Sequence, residues 1–240
     1  IALRLVGSEM CIRDSYARAC SDMGMHILQK TEVTGISQKD GTVTGVDTSR
    51  GQIGCKKLGM VVAGHASVVA EMAGFQLPIE SVPLQALVSE PIKPCMDVVV
   101  MANTVHGYMS QSDKGEMVIG GGTDAYNAYT QRGSFHHLEE TVRALIETFP
   151  MVSRLKMLRH WGGIVDVTGD RSPILSKTPL GNTFINCGWG TGGFKAIPGS
   201  GWGFAELMAK GESPLTAEFG LDRFRVGRFI DESVAAGVAH

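Results

Sequence analysis

The chain has 240 residues, enough for one large domain or two small ones, and its hydrophobic content of 43% suffices for a buried core. The formal net charge of −2 comes from well-mixed charges, which excludes the basic surface typical of proteins that bind nucleic acids or membranes. Because no apolar run approaches the roughly 20 residues that span a bilayer, we expect a cytoplasmic protein whose partners are neither nucleic acid nor membrane.

The first residues of the chain match laboratory DNA rather than a protein. Residues 5–15, LVGSEMCIRDS, correspond to one reading frame of a transposase sequencing adapter. We therefore expect residues 1–15 to be a translated adapter, which is set aside in reasoning about the fold. On this hypothesis the native coding sequence continues upstream of Tyr16.

Residues 16–80 predict a short helix, a hairpin and a strand that leads into a helix. A helix over 16–23 ends at Gly24, and the Asp40-Gly41 pair between two β-branched segments indicates a hairpin. The predicted elements are a helix at 16–23, strands at 26–37 and 42–48, a third strand after Gly51, a strand at 58–63, and a helix from Gly64 to Gly74. The strand–glycine–helix junction at Gly64 is typical of a nucleotide-binding crossover, although the motif is weak alone.

Residues 81–159 have the pattern of an antiparallel sheet followed by a helix. The predicted elements are strands at 82–90, 98–102, 107–111 and 117–121, and a helix at 135–149. Further strands at 155–167 and 183–187 and a helix at 199–210 follow. Residues 213–240 form a C-terminal tail, and we expect its closing stretch FRVGRFIDESVAAGVAH, which is rich in small residues, to dock on the protein.

The sequence predicts no metal site. Five cysteines at positions 11, 20, 55, 95 and 187 form no Cys-x-x-Cys pair, which is typical of free thiols in a reducing compartment. The adjacent His136 and His137 lie in a polar segment and are interpreted as a solvated helix start.

The segment from Gly188 to Gly201, GWGTGGFKAIPGSG, is rich in glycine and carries one lysine. Glycines let backbone N–H groups approach an anion closely. A phosphate-binding Walker loop requires Gly-Lys-Ser/Thr in succession, whereas here Phe194 precedes Lys195 and Ala196 follows it. From the residues alone, the segment is either a turn packed between a strand and a helix or a cofactor-binding turn.

Several stretches together resemble the flavin-dependent amine oxidoreductases related to D-amino-acid oxidase, and within that family the β subunits of heterotetrameric sarcosine oxidases. The resemblance covers residues 16–240 and rests on ILQKTEVTGI, VVAGHASVVAEMAGFQLPIE, PLQALVSEPIKP, WGGIVDVTGDRSPIL, CGWGTGGFKAIPGSGWGFAELMAKG and RFIDESVAAGVAH. The motifs GWGTGGFK and AAGVAH are specific to that subunit, whereas TEVTGI and VVAG fit many FAD proteins.

The resemblance implies a mixed α/β fold of two domains. Residues 16–80 and 160–212 would form a Rossmann-like FAD-binding domain that lacks its N-terminal βαβ unit, and residues 81–159 an antiparallel-sheet substrate domain that covers the flavin. The Gly-x-Gly-x-x-Gly turn of the family is absent from this sequence. So is the segment that carries the histidine linked covalently to FMN, which in the family lies just upstream of a stretch like YARAC at Tyr16.

The resemblance also assigns site residues. It implies that the glycine-rich turn lies against the flavin ring and that Lys195 binds the carboxylate of the amino-acid substrate, a role that suits a compact ammonium group. The implied cofactor-binding residues are Val33, Ala63, Gly64, Gly188, Gly190, Thr191, Gly192, Gly193, Phe194 and Lys195. Lys195 could instead be an ordinary surface lysine.

Other polar residues carry weaker hypotheses. Asp166 and Asp170 could form a paired-carboxylate acid/base site, or belong to a turn with Asp–Arg charges around Gly169. Residues His106, Tyr108 and Gln111 lie on substrate-domain strands, and alternation alone does not show which of them faces the flavin. Core packing is the default expectation for Trp161, Trp189 and Trp202.

The resemblance implies that the chain is a fragment of an enzyme that oxidises sarcosine to glycine with FAD, passes electrons to oxygen and assembles with α, γ and δ subunits. Two alternatives stay open. One is another N-methyl or D-amino-acid dehydrogenase that uses a different electron acceptor, and the other is a non-catalytic assembly module.

Overall fold

The computed structural model describes residues 5–102 and 107–230, with side chains described from residue 12 onward. The helices are α1 (Leu5–Asp22), α2 (Ala66–Met72), α3 (Phe135–Thr148), α4 (Gly193–Lys210) and α5 (Asp222–Arg225). The strands are β1 (Val33–Lys39), β2 (Thr42–Thr48), β3 (Gly51–Gly54), β4 (Leu58–Met60), β5 (Ile79–Pro91), β6 (Val100–Ala102), β7 (Gly107–Gln111), β8 (Glu116–Thr123), β9 (Met157–Thr168), β10 (Ile174–Lys177) and β11 (Thr183–Cys187). No helix among these is both long and apolar enough to cross a bilayer.

The first sheet is an antiparallel meander of β1, β2 and β3. Its predicted hairpin is confirmed, because Asp40 and Gly41 have φ values of 51° and 71°, as a tight turn with two left-handed residues requires. The predicted start of the first strand at residue 26 is wrong. Lys30 has a φ of 52°, which turns the chain and delays the strand to Val33.

The second sheet has the order β10-β11-β4, and its β11 and β4 are parallel. Its core contains Met60, Ala66, Ala70, Ile174, Ile185 and Cys187. Asn182 joins this sheet to the meander, since its Oδ1 accepts from the Val43 backbone N–H at 2.9 Å and its Nδ2 donates to the Val43 carbonyl at 2.8 Å. The strand β10 has no counterpart in the sequence prediction.

The third sheet is antiparallel with the order β6-β7-β8-β5-β9. Helix α3 packs on one face of it over a core of Leu87, Met109, Met117, Ile119, Leu145 and Val152. The hydroxyl of Ser134 caps α3 by accepting from the His137 backbone N–H. The predicted antiparallel sheet and its helix are thereby confirmed.

Helix α4 differs from the expectation, because it begins at Gly193 rather than at residue 199 and contains Pro198. Glycine and proline disfavour helix locally, but Phe204 and Leu207 of this helix are buried against Phe184. Tertiary packing therefore stabilises helical structure in a segment whose composition alone favours a loop.

Both ends of the chain contain helical residues that the sequence did not predict. Helix α1 runs from Leu5 through the residues expected to be adapter, upstream of the predicted start at residue 16. Beyond α4, a short 3₁₀ helix (Pro214–Phe219) and α5 lie against β10 and the turn before it. The final motif AAGVAH lies outside the described residues, and the division into domains stays a prediction whose boundary at residue 160 falls inside β9.

Candidate functional site

The parallel strands β4 and β11 end at the same edge of the second sheet. Thr183 lies opposite Leu58 and Ile185 opposite Met60, so both strands point the same way. Each strand is followed by a tight turn and then a helix: the turn Ala63–His65 leads into α2, and the turn Gly190–Gly192 leads into α4. In open α/β sheets, ligands bind outside the carboxyl ends of the strands, which makes this edge the candidate site.

The turn after β4 is closely packed at Gly64. Its preceding residue, Ala63, has a φ of 45°, and Gly64 itself is buried. A Cβ placed on Gly64 would lie 2.7 Å from the Cβ of Ile164 and 2.8 Å from the Ile164 carbonyl oxygen. The glycine therefore lets the turn pack against β9 of the antiparallel sheet, and no other residue type fits without displacement.

We expect Gly64→Ala to lower the free energy of unfolding by about 1–3 kcal/mol, because backbone and side chain must both move to admit the methyl group. A matched control is Gly199→Ala in α4, where an added Cβ meets nothing within 4 Å and alanine should stabilise the helix by about 0.5–1 kcal/mol. Urea unfolding of both variants measures the difference. Equal stability of the two variants would contradict the packing described for Gly64.

The turn after β11 uses glycine for its backbone conformation. Gly188 and Gly190 have φ values of 73° and 51°, a region that favours glycine. A Cβ on Gly188 would also lie 2.8 Å from Cγ2 of Thr168. The indole N–H of Trp189 donates to Oδ1 of Asn186 at 2.6 Å, which ties the turn back to β11. This turn, like the first, is therefore held against β9.

Helix α4 begins without a side-chain cap. Gly192 occupies the N-cap position and makes no capping hydrogen bond through a side chain. Uncapped N–H groups and the helix dipole make such an end favourable for negative charge. Lys195 is exposed, and its Cε lies 3.6 Å from the position of a Cβ on Gly192, so its aliphatic chain covers this helix start.

The other expected site residues are distributed as follows. The two turns and the residues directly beside them contain Ala63, Gly64, Gly188, Gly190, Thr191, Gly192, Gly193, Phe194 and Lys195. Val33 does not, since it begins β1 of the meander, opposite Thr48. The structure thus gathers all the expected cofactor contacts except Val33 at one edge.

The antiparallel sheet presents an open face on the side away from α3. The register pairs Leu84 with Gly163 and Ala86 with Trp161, and alternation places these residues opposite to the Leu87 face that packs on α3. Tyr108 shares the open face, because it pairs with Gly120 and a Cβ on Gly120 would lie 2.2 Å from its ring.

Gln111 and His106 are the other two candidates from the substrate-domain strands for a position that faces the flavin. The amide of Gln111 binds backbone groups of the loop before β6, accepting from Cys95 N–H at 2.8 Å and donating to the Lys93 carbonyl at 3.1 Å. Gln111 therefore anchors this loop, and a position facing the flavin stays a prediction. His106 lies outside the described residues.

The two aspartates of DVTGDRSP have different environments. Asp170 forms a buried ion pair with Arg223, whose Nε lies 2.7 Å from the Asp170 Oδ2. Asp166 lies on β9 and is 3% exposed. The ion pair with Arg223 contradicts an acid/base role for Asp170, and this partner arginine lies outside the turn around Gly169.

Asp166 is the unusual group near this edge. Its Oδ1 accepts from the Ser81 hydroxyl at 2.8 Å, while its buried Oδ2 has no partner within the described part of the chain. Burial raises the pKa of the Asp166 carboxyl to about 6, against hydrogen bonds from Ser81 and the Ala66 N–H and the charge of His65. The sequence offered no signal for this, because burial and partners depend on tertiary contacts.

The stability of the protein should depend on the charge of Asp166. Because the folded-state pKa lies above the unfolded value of 3.8, this group's contribution to stability is largest below pH 3.8 and decreases as pH rises toward 6. Relative to Asp166→Asn, the wild type should lose about 2 kcal/mol at most between pH 4 and pH 7.5. Denaturant unfolding across that range measures it, and a pH-independent difference would contradict the raised pKa.

Residues 12–102 and 107–230 contain no cluster of three or more His, Cys, Asp or Glu side chains that could hold a metal ion. His136 is exposed and pairs with Glu140 at 3.3 Å, as expected for a solvated helix start. His137 is instead buried, which the sequence did not predict.

Known proteins similar to this chain include two curated ones. The chain is 77% identical over 225 residues to sarcosine oxidase subunit beta of Rhodobacter capsulatus, an alignment that covers 94% of this chain and 54% of the relative. It is 53% identical over 227 residues to sarcosine oxidase subunit beta of Arthrobacter sp, covering 94% of this chain and 56% of the relative. The chain thus spans about half the length of the curated relatives it matches.

A solved structure and a family profile agree with this similarity. L-proline dehydrogenase from P. horikoshii superimposes with a TM-score of 0.84 at 26% identity, over 90% of this chain and 60% of that one. The profile of the DAO family, described as FAD dependent oxidoreductase, matches residues 13–207. With its two glycine turns at the carboxyl edge of a parallel strand pair and an antiparallel sheet beside them, this chain belongs to the FAD-dependent oxidoreductase family.

Proposed function

We propose that the chain is part of the β subunit of a heterotetrameric sarcosine oxidase, an enzyme that demethylates sarcosine oxidatively to glycine. The observation that carries the proposal is the 77% identity to the Rhodobacter capsulatus subunit over 94% of this chain. The overall reaction consumes oxygen and water and yields glycine, formaldehyde and hydrogen peroxide. The activity belongs to the longer protein of which this chain would be about half.

The residues at the carboxyl edge suit FAD. Gly64 and Gly188 pack so closely on β9 that a Cβ on either would lie within 2.8 Å of a β9 side chain, and these contacts hold both turns in place beside the edge. Ala63, Gly64 and the segment from Gly188 to Phe194 are the proposed contacts, together with Val33 if the meander reaches the adenosine part. When bound, FAD supplies the two-electron acceptor of the reaction.

The protein's own contribution is binding, orientation and electrostatics. The first turn of α4 has N–H groups without a side-chain cap, which favours negative charge beside it. Lys195 is proposed to bind the substrate carboxylate, since it is exposed on that turn and makes no ion pair among the described residues. The open face of the antiparallel sheet, with Tyr108 and Trp161, would shield the substrate from water.

The proposal also includes a second flavin and other subunits. FMN would be attached covalently to a histidine upstream of Tyr16, and α, γ and δ subunits would complete the enzyme. Both rest on the resemblance to sarcosine oxidase subunits. The four cysteines described, Cys20, Cys55, Cys95 and Cys187, are free thiols, which fits a reducing compartment such as the cytoplasm.

A dehydrogenase with a different electron acceptor is the second candidate. The similarity to L-proline dehydrogenase, at a TM-score of 0.84, favours it, because a dehydrogenase passes electrons elsewhere than to oxygen. The two candidates share the flavin site and differ in the fate of the electrons. Peroxide released in equal amount to glycine favours the oxidase, and substrate-dependent reduction of a dye without peroxide favours the dehydrogenase.

The experiment that tests the proposal uses the gene extended upstream to the length of the relatives. The purified protein, co-expressed with its neighbouring subunits, should be yellow, bleach on anaerobic addition of sarcosine and form peroxide in air. Glycine and N,N-dimethylglycine serve as substrate controls. A colourless protein, or a yellow one that does not bleach, would overturn the enzyme proposal and support an assembly module.

A further inference from the structure

The segment 124–134, here called the strap, links the antiparallel sheet to the turn after β4. It follows β8, precedes α3 and contains no helix or strand of its own apart from one bridge between Arg132 and Trp161. Both ends of the strap are held by the same side chain. Gln85 donates to Oδ2 of Asp124 at 2.6 Å and accepts from the Ser134 backbone N–H at 2.8 Å.

The middle of the strap reaches across to the turn Ala63–His65. The rings of Tyr129 and His65 lie 5.4 Å apart, and the Tyr129 hydroxyl donates to the Ser81 hydroxyl oxygen at 3.4 Å. The backbone N–H of Ala128 donates to the Ser81 carbonyl at 3.1 Å. Tyr129 is therefore the strap side chain that touches both the sheet and the turn.

Asp166 lies at the end of this chain of contacts. Its carboxylate accepts from the Ser81 hydroxyl, whose oxygen also receives the Tyr129 hydroxyl. The buried carboxylate is thus hydrogen-bonded to Ser81 of the sheet and is connected to the turn before α2 through Ser81, Tyr129 and His65. Its second oxygen, Oδ2, is buried without a partner in the described chain.

We propose that Asp166 is a positioning residue that holds the turn Ala63–His65 and the strap against each other, so that the order of both depends on the charge of this carboxyl. The inference rests on the proposed function only in that Ala63 and Gly64 are proposed flavin contacts. The contacts on which the inference rests are all between residues of this chain and do not involve the flavin.

The direction of the dependence follows from linkage. Burial raises the pKa of Asp166 to about 6 in the closed arrangement, whereas opening exposes the carboxyl to water and returns its pKa toward 3.8. Protonation therefore favours the closed arrangement, and ionisation above pH 6 favours opening. At neutral pH the Asp166 carboxylate is charged but poorly solvated, so the turn Ala63–His65 and the strap should separate more readily than at pH 5.

Few other groups could produce this dependence. Among the described residues, the titratable side chains that face Asp166 are His65 before α2, Tyr129 on the strap and Cys187 on β11. Burial, and then the Asp166 carboxylate, raise the pKa of the Cys187 thiol, so it stays neutral between pH 5 and pH 8. His65 is the group that the experiment must separate from Asp166.

The test is amide hydrogen exchange of the 240-residue chain at about pH 5 and pH 7.5, corrected for the intrinsic rates. We expect the peptides covering residues 61–66 and 124–134 to open about tenfold more often at pH 7.5 than at pH 5, as the two pKa values require. In Asp166→Asn the difference should vanish. The matched control is Glu80→Gln, the same change at an exposed carboxyl beside Ser81, which should keep the wild-type response.

Three results would overturn the proposal. If the wild type shows no pH response, the charge of Asp166 does not control the order of the turn and the strap. If Asp166→Asn keeps the response, the group responsible is His65. A response shared equally by peptides of α3 reports global unfolding and gives Asp166 a structural role only. The exchange experiment does not depend on flavin, so failure of the proposed function, seen as a colourless extended protein, is distinguishable from failure of this inference.

Discussion

Replacing Arg223 by leucine is expected to lower the free energy of unfolding by about 3–5 kcal/mol, because it leaves the Asp170 carboxylate buried without its cation. The guanidinium donates four hydrogen bonds: Nε to the Asp170 Oδ2 at 2.7 Å, Nη2 to the Asp170 Oδ1 at 3.0 Å and to the Ser172 carbonyl at 2.8 Å, and Nη1 to the Gly220 carbonyl at 3.2 Å. The two side chains are 4% and 1% exposed. The pair fastens the segment after α4 to the turn between β9 and β10.

The neighbouring Arg225 supplies the control. It pairs with Asp222 at 3.4 Å, but these side chains are 79% and 86% exposed, and water screens such pairs. We expect Arg225→Leu to change stability by less than about 0.5 kcal/mol. Chemical denaturation of both variants gives the comparison, and equal losses would refute the assignment of the Asp170 pair as the anchor.

The same pair predicts a pH dependence opposite to that of Asp166. Burial alone would raise the pKa of Asp170, but the hydrogen bonds and charge of Arg223 and the N–H groups of Ile230 and Ser172 hold it below its usual value. The stabilisation is therefore complete above pH 3.8 and is lost as pH falls through the lower folded-state pKa. Arg223→Leu should remove this acid sensitivity as well as the stability.

Replacing Lys195 by alanine in the extended, flavin-loaded protein is expected to raise the KM for sarcosine by about 10–100-fold, because a charge-assisted contact to the substrate carboxylate contributes about 1.5–3 kcal/mol. Flavin content should stay unchanged, since the proposed flavin contacts are made by the turn itself. Steady-state kinetics and the flavin absorbance per polypeptide measure the two effects.

Lys210, at the other end of the same helix, is a suitable control. It is exposed and pairs with Glu206 at 2.6 Å, far along α4 from the turn. We expect Lys210→Ala to leave KM within about twofold of the wild type. An unchanged KM in Lys195→Ala would remove the substrate role, and loss of flavin from that variant would assign Lys195 to the cofactor instead.

Much of the site was predictable because it depends on short-range patterns. The glycines at 64, 188 and 190 and the hairpin at Asp40-Gly41 occur where backbone conformation or close packing demands them, and such demands are visible in the sequence. The motifs around these glycines also indicated the family, which the profile over residues 13–207 confirms.

The start of α4 shows the opposite case. Its first residues, with Pro198 among glycines, predict a loop, yet they are helical because Phe204 and Leu207 pack against the second sheet. Burial of that apolar face outweighs the low helix propensity of a single turn. The free energy of this burial depends on contacts with the second sheet, so the local sequence pattern does not reveal it.

The sequence by itself determined the class of fold, the two glycine turns and the family, since each is written in residues close together along the chain. Only the tertiary structure decided the partners of the two aspartates. It pairs Asp170 with an arginine 53 positions away and buries Asp166 against Ser81, 85 positions away. The charge state of a carboxyl depends on its burial and on the donors around it, and both arise only when distant segments pack together.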